Sequence, residues 1–146
     1  LSSITRAIHI FPEFDQVDLI QSIRKKYDPL YTCIPPHITL VFPFESEITN
    51  IDLYRHVKQA VTGFQPFAIH LEEITASNGY YLFLNVKQGN DQIIALHDRL
   101  YSGPLASYRS YRHTYLPHLT VMNMNWKRHF RECVLLIIVL KHKSAK

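Results

Sequence analysis

Apolar side chains recur along this chain at two spacings, and the switch between them lays out its elements. Period-two alternation or a short apolar run predicts strands over 4–11, 37–42, 67–74, 80–86 and from His118 onward. Helical spacing predicts three helices between them. Val17, Leu19, Ile20 and Ile23 form the stripe of the first, which Asp15 should cap and Asp28-Pro29 should end. Leu53, Val57, Ala60 and Val61 mark a second, from Asn50 to a stop at Gly63. Ile93, Leu96, His97 and Leu100 mark a third, capped by Asn90-Asp91 and broken by Ser102-Gly103-Pro104. Pro12 and Pro43 are expected to close strands, and Ser77-Asn78-Gly79 to turn a hairpin. Residues 105–116 read as a polar, tyrosine-rich loop. This order predicts an α+β fold with mostly antiparallel sheet.

One pattern within the strands occurs twice. Pro36-His37-Ile38-Thr39-Leu40 and Pro117-His118-Leu119-Thr120-Val121 place their histidines 81 positions apart. That is too far for a solenoid repeat and suits two matching strands in two halves of one domain. Alternation puts His37, Thr39 and Val41 on one strand face and Ile38, Leu40 and Phe42 on the other. Each copy therefore anchors in the core and offers an imidazole and a hydroxyl on its opposite face. Histidine titrates near neutrality, so one ring can take a proton from an attacking oxygen while the other gives one to a leaving oxygen. A threonine hydroxyl two residues along can donate to a phosphate oxygen. The chemistry this suits is in-line displacement at a phosphodiester.

Composition narrows the setting. At 146 residues and 47% hydrophobic, residues 1–146 suit a single domain with one core. The longest apolar run, 134–140, is far shorter than the roughly 20 residues of a spanning helix. It reads instead as a strand buried on both faces, pairing within the second half or with another subunit, and Lys141, Lys143 and Lys146 should mark its solvated exit. Cys33 and Cys133 supply neither a disulfide framework nor metal-ligand spacing, so a reduced, cytoplasmic protein is expected. The net charge is +4, but residues 127–146 hold six of the sixteen basic groups and one of the twelve acids. The strands that carry the histidines are not basic, which favours a small phosphate substrate over a long duplex.

The paired His-x-Thr-x motifs resemble those of the two-histidine (2H) phosphoesterase superfamily. The stretches 34–40 and 116–121 look most like its bacterial 2′-5′ RNA ligase-like branch, over roughly residues 4–123. The resemblance implies a bilobal fold, with two mostly antiparallel sheets in pseudo-twofold relation around a central cleft and helices packed outside. It also implies metal-independent, cofactor-free action on 2′,3′-cyclic or 2′-5′ phosphodiesters of nucleotides or RNA ends. His37 and His118 would be the acid–base pair, and Thr39 and Thr120 the phosphate ligands. Two departures stand out. Met122-Asn123 occupies the place where many members carry a phosphate-contacting arginine, and the C-terminal part of the second lobe is shortened or altered. Hydrolysis, 2′-5′ RNA end joining through the same histidines, and nucleotide-phosphate binding without turnover are the three readings this leaves.

Other residues carry weaker signals. Arg109, Arg112 and Tyr115 precede the second motif in a loop that either overhangs the site or is simply solvated, and Asn123 follows it. Phe11, Phe42 and Tyr81 have rings able to stack a base, though core packing is the expectation for each. His97 should be a hydrogen-bonded core residue. Arg24-Lys25-Lys26 should be the solvated, dipole-compatible end of its helix. The remaining histidines show no metal-ligand spacing.

Overall fold

The computed structural model describes residues 2–124 and the strand at 136–143, the latter by its backbone. Strands β1 (Ile4–Glu13), β2 (Ile38–Ser46), β3 (His70–Ser77), β4 (Tyr81–Gln88), β5 (His118–Asn123) and β6 (Leu136–Lys143) alternate with helices α1 (Val17–Tyr27), α2 (Asn50–Val61) and α3 (Asn90–Leu100). The class is α+β, and the element order is the one the apolar spacing predicts. The strands form one sheet in the order β3-β4-β5-β2-β1-β6, antiparallel at every join except β1–β6. Two separate sheets were expected. Instead the two motif strands hydrogen-bond to each other at Ile38↔Leu119, which fuses the halves into one sheet at a single residue pair.

Both strand-closing prolines lie inside strands. Pro43 falls where β2 has two residues between Val41 and Phe44 and β1 has only Ala7 between Ile8 and Arg6, so it occupies a bulge that asks no ladder bond of it. Pro12 lies past Ile10, the last β1 residue paired with β2, where β1 is bonded to β6 alone. A further irregularity between Ile8 and His9 places Leu40 in a bulge and overturns the expected alternation. Val41 joins Ile38 and Leu40 in the core, and Phe42 is half exposed.

Of α1, α2 and α3, α2 alone starts on a side-chain cap, and the caps expected from Asp15 and from Asn90-Asp91 are not formed. Thr49 caps α2 by accepting from the Asp52 N–H at 3.1 Å. Asp15 does not cap α1, because the helix begins one residue later, after Gln16. Gly89, in a left-handed conformation, precedes α3, and a Cβ there would lie 2.7 Å from the Ala68 carbonyl oxygen. The β3–β4 turn keeps Asn78 and Gly79 at φ 53° and 76°, the backbone that an Asn-Gly hairpin favours. Ile20, Leu53, Val57, Ile93, Leu96 and Leu100 of the helices pack with Ile8, Ile10, Ile38, Leu40 and Leu119 of the sheet. One sheet face is thereby covered, and the histidines lie on the other.

The C-terminal apolar run also departs from expectation. Residues 134 and 135 lie outside the described residues. From Leu136 the chain pairs in parallel with β1, beside the first motif rather than the second, and at the sheet edge. Lys141 and Lys143 belong to that strand, opposite Phe11 and Glu13, so the strand runs past the exit expected at Lys141. Cys33 is disulfide-bonded, against the expected free thiol. Cys133 and Lys146 lie outside the described residues. Among the described residues no helix is long and apolar enough to cross a membrane. Ending the chain at residue 133 would leave the outer edge of β1 unpaired, a template for intermolecular pairing. A lower melting temperature and aggregation by light scattering are expected; an unchanged melting temperature in a monodisperse sample would contradict the pairing.

Candidate active site

The two motifs meet at their centres. Ile38 and Leu119 are directly opposed and both fully buried, so the residues flanking them point to the other face together. Continuing that antiparallel register sets His37 across from Thr120 and His118 across from Thr39. The outer strands repeat the arrangement. Ile10↔Ile38 and His9↔Thr39 in one half match Leu84↔Leu119 and Phe83↔Thr120 in the other. In each half the register then slips at the residue after the threonine, Leu40 or Val121. A duplicated sequence motif has become a duplicated ladder.

The histidines are held alike. Nδ1–H of His37 donates to the Pro35 carbonyl at 3.0 Å, and Nδ1–H of His118 to the Leu116 carbonyl at 2.7 Å. A carbonyl can only accept, so both neutral rings carry their proton on Nδ1 and keep the Nε2 lone pair for chemistry. Burial lowers the pKa of both rings, while each carbonyl bond pulls it back up. The His118 charge is also felt at His37, so the two rings lie within electrostatic reach of each other.

Behind His37 stands a buried ion pair that sequence reasoning placed in solvent. Arg24 is fully buried. Its guanidinium donates to Asp28 Oδ2 at 2.9 Å, Gln21 Oε1 at 2.8 Å and the Ile34 carbonyl at 2.9 Å. Asp28 Oδ1 in turn accepts from the Leu30 N–H. This network fixes the loop whose Pro35 carbonyl holds His37. Removing one partner of such a pair costs about 3–5 kcal/mol, because the other charge stays buried alone. The (i, i+4) spacing of Arg24 and Asp28 was the available signal. Lys25 and Lys26 are exposed, as expected.

Two more neighbours were missed. Phe83 stacks on His118 with centroids 3.7 Å apart and planes at 24°, and Tyr81 continues the ladder 5.7 Å from Phe83. His9 lies edge-on to His37 at 4.5 Å, and its Nδ1 is 3.1 Å from Thr39 Oγ1. Period-two spacing on β1 and β4 would have found both once the register was known. Phe11 is 6.4 Å from His37, ring to ring.

The remaining predicted residues lie elsewhere. The Tyr115 hydroxyl donates to the Thr39 carbonyl, and its ring stacks on the buried His97 of α3 at 3.8 Å, so it braces β2 against α3. Phe42 packs edge-on to Tyr115, and its N–H donates to the Tyr101 hydroxyl. Arg109 is tied to Asp98 at 3.0 Å and lies over Tyr111. Arg112 is exposed, and Asn123 is buried opposite Tyr81. His97 is the hydrogen-bonded core residue expected, donating to Asp98 at 3.0 Å. Among the described residues no three His, Cys, Asp or Glu side chains are grouped to hold a metal ion.

The family model described as the 2′-5′ RNA ligase superfamily matches residues 11–141. Proteins named "Putative phosphoesterase" are similar in sequence. The relative from Bacillus pumilus is 31% identical over 115 residues, which is 77% of this chain and 66% of the relative. Those from Bacillus licheniformis and Halalkalibacterium halodurans are 32% and 31% identical, over 78% of this chain and 68% and 67% of their own lengths. The chain spans about two thirds of the length of these relatives.

The buried rings make acid stability a test of the site. Burial, and secondarily the charge of His37, push the pKa of His9 down to about 3 from 6.5, and those of His37, His97 and His118 are lowered too. Above pH 6.5 these rings are neutral both folded and unfolded. Below it the unfolded chain binds protons first, so stability falls as pH falls from 6.5 toward 3. Chemical denaturation across that window should show the loss, with a shallower slope in His9→Phe; identical slopes in the two proteins would contradict a neutral, buried His9.

Proposed function

This chain belongs to the 2′-5′ RNA ligase superfamily, and we propose that it is a phosphodiesterase of 2′,3′-cyclic or 2′-5′ phosphodiesters on nucleotides or RNA ends. The observation that carries the reading is the pair of histidines on one sheet face, each with Nδ1–H committed to a carbonyl and Nε2 left available. The names of the relatives support phosphoester chemistry in general.

In hydrolysis of a 2′,3′-cyclic phosphate, water attacks phosphorus as neutral His118 takes its proton at Nε2. The phosphorus bond to one ribose oxygen breaks, and protonated His37 gives its Nε2–H to that oxygen. The protons balance: one histidine gains what the other loses, and exchange with water restores both. We assign His118 as base and His37 as acid, and the matched placement of the two rings lets the roles exchange with the direction of reaction. Thr39 and Thr120 donate to the non-bridging oxygens and stabilise the charge that builds there. The protein supplies both proton-transfer groups, so no step requires a metal. Run in reverse, with a ribose hydroxyl as nucleophile, the same pair joins ends and the two roles exchange. Exposed Tyr80 and half-buried Tyr81 offer ring faces for a base beside the phosphate.

Replacing His37 or His118 by alanine should each cut turnover of 2′,3′-cyclic nucleotides by roughly 10²–10⁴-fold, since each removes one proton-transfer group. Circular dichroism should be unchanged and EDTA should not affect the wild type. Near-wild-type rates in either variant would refute the two-histidine mechanism, and loss on chelation restored by a divalent ion would refute its metal independence.

A further inference from the structure

The two half-sites are not chemically equal. Thr120 faces the ring of Phe83 across its strand pair, and Phe83 has nothing to donate or accept. Thr39 faces His9, whose Nδ1 lies 3.1 Å from the threonine oxygen. His9 is 4% exposed, and its Nε2 is buried with no hydrogen-bond partner among the described residues. A residue needed only to fill this space would not bury a bare nitrogen, and the phenylalanine in the matching place of the other half avoids doing so.

A threonine hydroxyl has one proton, which decides what Thr39 can offer an anion. With Nδ1 of His9 unprotonated, the hydroxyl donates to the ring and turns only lone pairs toward a phosphate. With the proton on Nδ1, the ring donates to Oγ1, and the hydroxyl proton is free to point at a phosphate oxygen. We propose that His9 is a positioning residue: its Nδ1–H donates to Thr39 Oγ1 and commits the threonine's proton to a non-bridging oxygen of the substrate. The inference deepens the phosphodiesterase reading and rests on it. It also makes the two threonines unequal. Thr39 is a preset donor, whereas Thr120 must orient its hydroxyl when substrate arrives. The orphaned Nε2 is then an acceptor lone pair, less costly to bury than a bare N–H.

Two measurements test this with the full chain. Histidine ¹⁵N shifts on the wild type should show His9 as the Nδ1–H tautomer at neutral pH; the Nε2–H tautomer would overturn the proposal, independently of any substrate or variant. The second is a double-mutant cycle on kcat/KM for 2′,3′-cyclic AMP. His9→Phe should lower kcat/KM about tenfold and have almost no further effect in Thr39→Val, yet act fully in Thr120→Val. His9→Asn, whose amide can donate from the Nδ1 place, should recover most of the loss. Full additivity with Thr39→Val, or no recovery in a folded His9→Asn, would overturn the positioning role. If His37→Ala keeps wild-type turnover, the phosphodiesterase mechanism fails and the role of His9 in it fails too. If His37→Ala is inactive and the cycle is additive, the positioning role alone fails.

Discussion

The site depends on one residue pair. Ile38 and Leu119 face each other across β2 and β5 with their side chains fully buried, and among the described residues they are the sole ladder pair joining the two halves of the sheet. Burying two such side chains contributes about 1.5–3 kcal/mol each. Their more specific consequence is register. In a strand a one-residue slip reverses every side chain, so the apolar pair fixes which face His37, Thr39, His118 and Thr120 share. A polar centre is thus aligned by the hydrophobic residue within each motif.

What the pair aligns, carbonyl groups then orient. Both histidines donate Nδ1–H to the carbonyl two residues upstream. On the His37 side that loop is tied down by the buried Arg24–Asp28 pair through the Ile34 carbonyl. On the His118 side the ring is braced by Phe83. Each ring donates to a carbonyl, but the surroundings differ, with a buried ion pair behind one loop and a stacked ring beside the other histidine.

The duplicated motif, the α+β class and the order of elements were legible in the sequence because each has a local cause: spacing or turn chemistry. The Asn78-Gly79 turn and the start of α2 at Asn50 are of this kind. What escaped were the features set by pairing between distant segments. Pro12 and Pro43 look like strand ends until the ladder shows one beyond β2 and the other in a bulge. Arg24 looks solvated beside Lys25 and Lys26 until the loop at Ile34 closes over it. His9 and Phe83 acquire meaning once β1 and β4 flank the motif strands in matching register. Phe42 leaves the expected core face because the bulge at Leu40 reverses the alternation, and Tyr115 stacks on His97 of α3.

The central claim, that one histidine acts as base and the other as acid, is tested most directly by the pH dependence of kcat/KM for a 2′,3′-cyclic nucleotide. Burial lowers both rings, so the account predicts a bell whose two limbs arise from the coupled pair and whose maximum lies below pH 6.5. His118→Ala should abolish the acid limb, where the base becomes protonated, and His37→Ala the alkaline limb, where the acid loses its proton. A profile with one limb, or one whose two limbs survive both replacements, would contradict it.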